Sequence, residues 1–150
     1  MNRREQIKLT PDEQARFLQD TRKVSLATIG KDGYPHLVAM NYIAIDGVIY
    51  MSSYGKAQKV LNIRRNPKVA VMAESGKDYS QLRGVMIRGE CEILEDRASV
   101  EKYMGAIRRR DTGEANIPPM PEQIVTKRVI LKVVPKKITS WDHSKLGGRY

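Results

Sequence analysis

The sequence predicts a mainly β domain, in which six or so strands form a closed antiparallel sheet with helices inserted between them. Three observations carry that expectation. Runs rich in Val, Ile, Leu and Thr recur along the chain, bounded by Gly, Asp and Asn turn signals. Asp46-Gly47 is a strong hairpin signal, because the pair supplies the positive φ of a type I′ turn. The long crossovers of a doubly wound parallel sheet are absent, and a small barrel removes the edges that many short strands would expose.

The elements follow in order. Thr10-Pro11-Asp12-Glu13 reads as a helix start: Thr10 caps, Pro11 suits the first helical position, and Glu13 completes a capping box. Phe17 and Leu18 give this helix a buried side, and it ends near Asp20. Residues 24–29 form a first strand, Lys31-Asp32-Gly33 a turn, and residues 36–45 a second strand. Beyond Asp46-Gly47 the chain returns as a strand over 48–53. A helix over 56–65 is broken by Asn66-Pro67, and residues 68–73 make another strand. Residues 82–95 make a long strand, with Gly84 or Gly89 as a cheap place for a bulge. Asp96 caps a helix to about Arg110, residues 111–121 form a proline-bearing loop, and residues 128–134 a last strand. The tail over 141–150 shows no clear period.

At 150 residues the chain is expected to be a single domain, 1–150, able to bury one core. No apolar run approaches the ~18 residues of a membrane span, and the N-terminus lacks a secretory apolar region. The single cysteine, Cys91, excludes an internal disulfide and fits a cytoplasmic location. Lys and Arg number 27 against 17 Asp and Glu, a formal charge of +10. These cations are spread along the chain, with one Phe and one Trp to stack on bases, so no specific nucleic-acid partner is expected.

Residues 50–67 carry the chemistry most open to reading. Ser52 and Ser53 end a strand, a Tyr-Gly turn follows, and Lys56 and Lys59 open the next helix one turn apart. Unpaired N–H groups and the helix dipole favour an anion at such a start. The segment reads either as a phosphate cradle or as an ordinary solvated basic helix, and most Lys-rich turns are the second. Cys91 alternates with Val85, Ile87 and Ile93 on an apolar face, which argues for inert core. His36 and His143, the only histidines, lack partners at metal-ligand spacing, so no metal site is expected. No nucleophile elbow or catalytic triad is visible and no catalytic side chain is assigned. If the chain is an enzyme, a bound cofactor brings the chemistry. Trp141, just past the last expected strand, could cover a ring-shaped ligand or anchor the tail, and anchoring is the commoner role.

The helix LTPDEQARFL, the strand VSLATIGKDGYPHLVAMNY, the hairpin DGVIYMSSYGKAQKVLNIRRNPKVAV and the strand LRGVMIRGECEIL together resemble the pyridoxamine 5'-phosphate oxidase-like split β-barrel family. Within it they are most similar to small flavin- or deazaflavin (F420)-dependent oxidoreductases. The likeness runs from about Leu9 to Val134, and its most specific pieces are Gly33–His36 and Lys56–Pro67. The resemblance implies a six-stranded antiparallel split barrel and a homodimer with cofactor sites at the interface. It places the cofactor ring along the second strand, at Leu37, Val38, Ala39, Met40 and Asn41. The phosphate falls to Ser52, Ser53, Lys56 and Lys59, which turns the reading of that segment toward the cradle. Trp141 becomes an interfacial wall. The implied function is a reductase that passes hydride from F420, or alternatively FMN, to a small electron-poor substrate. The alternatives are a non-catalytic flavin-, F420- or haem-binding protein and an FMN-dependent pyridoxamine-phosphate oxidase, whose substrate-phosphate and C-terminal signatures are not matched here.

Overall fold

The computed structural model describes residues 2–149. A short helix α1 (Arg3–Gln6) leads to α2 (Pro11–Asp20), where the expected capping box is formed: Thr10 Oγ1 accepts from Glu13 N and Glu13 Oε1 accepts from Thr10 N. Then come β1 (Lys23–Ile29), β2 (Pro35–Asn41), β3 (Ile43–Ile45), β4 (Val48–Tyr54), α3 (Gln58–Arg65), β5 (Lys68–Ser75), β6 (Arg83–Leu94), α4 (Arg97–Thr112), α5 (Glu122–Val125) and β7 (Arg128–Asp142). The strands form one curled antiparallel sheet in the order β2-β1-β5-β6-β7-β4-β3. Asp46 and Gly47 both adopt positive φ between β3 and β4, as the Asp-Gly turn requires.

There are seven strands rather than six, and the sheet is curled rather than closed by pairing. Both differences trace to Tyr42. The expected second strand is interrupted there, so that β2 pairs with β1 and β3 pairs with β4 at the opposite edge of the sheet. Tyr42 is fully buried and its hydroxyl donates to the carbonyls of Leu18 and Thr21, each at 2.7 Å. Arg110 at the end of α4 locks the break. It donates to the carbonyls of Tyr42, Leu18, Gln19 and Thr21 and lies over the Tyr42 ring at 4.5 Å. The last turn of α2 has no basic residue of its own, so this guanidinium supplies the cation its C-terminal dipole favours.

Inward-facing residues of alternating strands fill the barrel: Leu26, Ile49, Met51, Val71, Ile87 and Leu131 are all buried. Each such side chain contributes about 1.5–3 kcal/mol on burial. A second apolar cluster lies outside the sheet, where Val100, Met104 and Ile107 of α4 cover Ile43, Tyr50 and Ile130. The long β6 strand keeps the expected alternation, and its register against β7 shifts at Arg88/Gly89, as anticipated for Gly89.

Three further boundaries depart from the sequence reading. The last strand does not stop near Val134 but continues to Asp142, so Trp141 lies within a strand and not past one. Its long pairing with β6 carries it through Pro135, which sits beside the register shift. α4 extends to Thr112, ending on Gly113 in the left-handed conformation, and α5 follows the proline loop. Finally, α3 begins at Gln58, with Ala57 as its N-cap, so Lys56 belongs to the preceding turn and does not share a helical face with Lys59.

Candidate functional site

The ends of β2, β4 and β7 converge beside the first turn of α3. Ala39, Met40 and Asn41 of β2 face Ser52, Ser53 and Tyr54 of β4 across a cleft of about 320 Å³. Lys23, Lys59 and Arg128 also line it, with Ile107 from α4, and among the described residues no carboxylate does. Antiparallel register places Arg128 directly opposite Tyr54. The guanidinium stacks over the Tyr54 ring at 3.8 Å, and its Nη1 reaches Ser52 Oγ at 3.5 Å. Its buried Nε has no hydrogen-bond partner among the described residues. Ser53 is buried and its hydroxyl donates to Tyr54 O at 3.0 Å.

Lys59 sits in the same cleft, with its ammonium pKa held below the usual lysine range first by burial and then by the charge of Arg128. Three cations, Lys23, Lys59 and Arg128, thus line one space with no acidic partner among the described residues. In a cleft of restricted dielectric such an arrangement favours an entering anion, which relieves the repulsion. The donor set of an ammonium, a guanidinium and the Ser52 hydroxyl fits a phosphate.

Of the residues expected at the site, Lys59, Ser52, Ser53, Ala39, Met40 and Asn41 are brought together here. Lys56 is exposed and borders a neighbouring pocket of about 590 Å³ with Gly55, Glu95, Thr126 and Lys127; that pocket shares Tyr54 and Arg128 with the cleft. Val38 points inward and packs against the barrel core. Trp141 lies elsewhere, paired with Gly84 across β6–β7, its ring so close over that glycine that an added Cβ would meet it at 2.2 Å. Sequence reasoning missed Arg128, Tyr54 and Lys23. Nothing local marks Arg128, since its partner Ser52 is 76 residues away; the only signal was a basic residue opening a strand.

The other candidate groups are accounted for. Cys91 is buried, and burial pushes its thiol up to about 12, which leaves no thiolate for nucleophilic work. His143 Nδ1 lies 2.8 Å from the Tyr79 carbonyl and its ring tilts against Tyr79. Among the described residues no cluster of His, Cys, Asp and Glu could hold a metal ion, and no helix is long and apolar enough to cross a membrane.

Residues 10–142 match the family model described as pyridoxamine 5'-phosphate oxidase. The chain belongs to the pyridoxamine 5'-phosphate oxidase family. Among solved structures it is similar to the conserved hypothetical protein Rv2991 from Mycobacterium tuberculosis, with 37% identity, a TM-score of 0.87, and coverage of 100% of this chain and 95% of that one. It is also similar to an F420 reductase, at 27% identity and a TM-score of 0.67 over 83% of this chain and 94% of that one. The fold alone is shared with an FAD- and haem-binding protein from Mycobacterium smegmatis, at 10% identity and a TM-score of 0.79 over 91% of this chain and 73% of that one. No curated protein matches the chain.

Proposed function

We propose that this protein is a cofactor-dependent oxidoreductase that binds F420, with FMN as the alternative, and reduces a small electron-poor organic substrate. One observation supports the reading above others: Lys59 and Arg128 face one cleft that, among the described residues, no carboxylate lines. A phosphate there accepts from both cations, with Ser52 and Ser53 as the flanking hydroxyls. A cofactor bound there would supply the hydride, with β2 as the strand that would carry its ring. The chain's own part is to anchor, orient and exclude water, since the cleft holds no acid, base or nucleophile suited to the reaction. Lys56 and Lys127 in the adjoining pocket suit the carboxylates of an F420 tail, which FMN lacks.

A homodimer completes the proposal. α4 covers the outer face of the sheet over β3 and β4, whereas the outer face over β2, β1, β5 and β6 is bare. Registered pairs align Leu37, Ala27 and Ala70 in one row, which ends on the exposed Arg88, and Ala39, Ser25, Met72 and Met86 in the next, a mostly small and apolar surface that a second copy can cover. Ala39 belongs both to this face and to the cleft, so a two-fold contact adds a second wall to the site. Trp141 shares the face, and its proposed place is in that interfacial wall.

Side-by-side titration of FMN and F420 into the purified chain tests the reading. Expected are a phosphate-dependent affinity for at least one of them and turnover of a quinone by the reduced complex. Binding without turnover would assign the chain to carriage of the cofactor. Equal affinity of wild type and Lys59→Ala would remove the phosphate cradle.

A further inference from the structure

The bare outer face of the sheet carries charges that the chain itself leaves unpaired, and their placement is symmetric. Val71 and Ala73 of β5 and Val85 and Ile87 of β6 point into the barrel, so Met72 and Met86, directly opposite each other, point outward. Glu74 lies two residues beyond Met72, opposite Gly84. Arg88 lies two residues beyond Met86 in the reverse direction, opposite Ala70 on one side and Lys137 on the other. The two charges therefore stand on either side of the Met72–Met86 row, each about 7 Å from it along the strands.

Glu74, Arg88 and Lys137 are exposed, and among the described residues none of them forms an ion pair. Like charges directly opposite each other, as Arg88 and Lys137 are, cost the sheet stability. Glu90, the carboxylate that shares their recess, lies 3.8 Å from Lys136. Beside Glu74 the outer face changes character. The Trp141 ring covers Gly84 so closely that it forms the surface there. A carboxylate next to an indole face suits a guanidinium, which pairs with the one and stacks on the other. Among the described residues no cation of the same copy lies over that ring; Arg83, adjacent to Gly84 in sequence, lies over Phe17 at 5.3 Å.

We propose that Glu74 and the Trp141 ring of one copy receive Arg88 of a second copy, across a two-fold axis that crosses the strands at the Met72–Met86 row. This inference rests on the homodimer reading above and names the contact that sets its geometry. Rotation about that axis reverses the strands and exchanges the row of Glu74 with the row of Arg88. Arg88 of the second copy then faces Gly84 and its indole cover, with Glu74 one strand away, while the methionines meet their own mates at the axis. Sheets packed face to face lie about 10 Å apart, a gap that arginine and glutamate side chains close from the two sides. The pair forms twice, because a two-fold interface repeats every contact. An axis along the strands instead sets each row against itself, Arg88 beside Arg88 and Glu74 beside Glu74, and like charges oppose it.

Charge reversal tests the contact on the full chain, with sedimentation velocity reading the dimer dissociation constant and circular dichroism the fold. Arg88→Glu and Glu74→Arg should each weaken the dimer about a hundredfold, roughly tenfold for each of the two symmetric contacts. The double variant restores the pairing with its polarity exchanged and should return the dimer to within about tenfold of wild type. Trp141, the sole tryptophan, should emit differently in the wild-type dimer and in monomeric Arg88→Glu. Should a reversal fail to fold, Arg88→Gln removes the charge alone and should still weaken the dimer about tenfold. A dimer indifferent to these substitutions, a double variant no tighter than the single ones, or unchanged Trp141 emission would overturn the contact and leave the homodimer standing. A wild-type chain that stays monomeric at micromolar concentration would strike the homodimer reading itself, and this inference with it.

Discussion

Two regions of this chain gather charge, and they treat it in opposite ways. Where the C-terminal tail meets the N-terminal helices, the charges that link the two ends face their opposites. Lys145 Nζ donates to Glu13 Oε1 at 2.7 Å and to the carbonyl of Lys8. Asp142, buried, accepts from Ser144 N and Ser144 Oγ and lies 3.4 Å from Arg83 Nε. In the cleft between β2 and β4, Lys23, Lys59 and Arg128 face one another with no acid among them. The junction serves the fold, closing the two ends of the chain through Asp142 N to Ile7 O and Leu9 N to Ser140 Oγ. Unmatched cations cost the fold, and the proposed phosphate is the partner that would offset them here. Charge count alone could not separate the two places; pairing does.

Substitutions should therefore split by region, with binding and stability moving independently. The largest effect is expected in the cleft. Lys59→Ala or Arg128→Ala should weaken the phosphorylated cofactor at least tenfold, since a charge-assisted phosphate contact is worth about 1.5–3 kcal/mol. Lys59→Ala should leave the thermal midpoint level or raise it, because it relieves repulsion from Arg128. Fluorescence titration and thermal melts read the two quantities, and a stability loss matching the binding loss would erase the contrast.

At the junction the order reverses. Asp142→Ala strands the Ser144 N–H and hydroxyl and leaves Arg83 without its carboxylate, and should cost about 2 kcal/mol in urea unfolding with cofactor affinity intact. A smaller effect follows from pH. The hydrogen bond from Lys145, with that of Thr10, lowers the Glu13 carboxyl from 4.5 to about 2. Its folded value lies below its unfolded one, so its contribution is present above pH 4.5 and is lost as pH falls toward 2. Glu13→Gln should flatten that part of the acid limb of stability, and an unchanged limb would show that the pair does not hold the tail.

The smallest expected effects are at the margin of the cleft. Lys56 is exposed and lies in the turn before α3, so Lys56→Ala should weaken F420 only about twofold, in line with a screened surface contact. Raising salt from low ionic strength to 0.1 M and beyond, where the Debye length is ~10 Å, should weaken F420 more than FMN through the tail carboxylates. Equal salt slopes for the two cofactors would remove the tail from the adjoining pocket.

The local chemistry of the chain determined a good part of this molecule by itself. Thr10 to Glu13 formed its capping box, Asp46-Gly47 its hairpin, and the alternation around Cys91 its buried face, because each depends on neighbours within a few residues. The strand end and turn from Ser52 to Gly55 were legible for the same reason, and the resemblance to the family gave the segment its proposed role. Only the tertiary structure decided that Tyr42 splits one expected strand in two, since its partners are the end of α2 and Arg110. Only the structure set Arg128 against Tyr54 and Ser52, left His36 Nδ1 buried without a partner, and drew Trp141 into β7 over Gly84. These are consequences of strand register between distant segments. Register is set by the packing of the whole sheet, which no window of sequence contains.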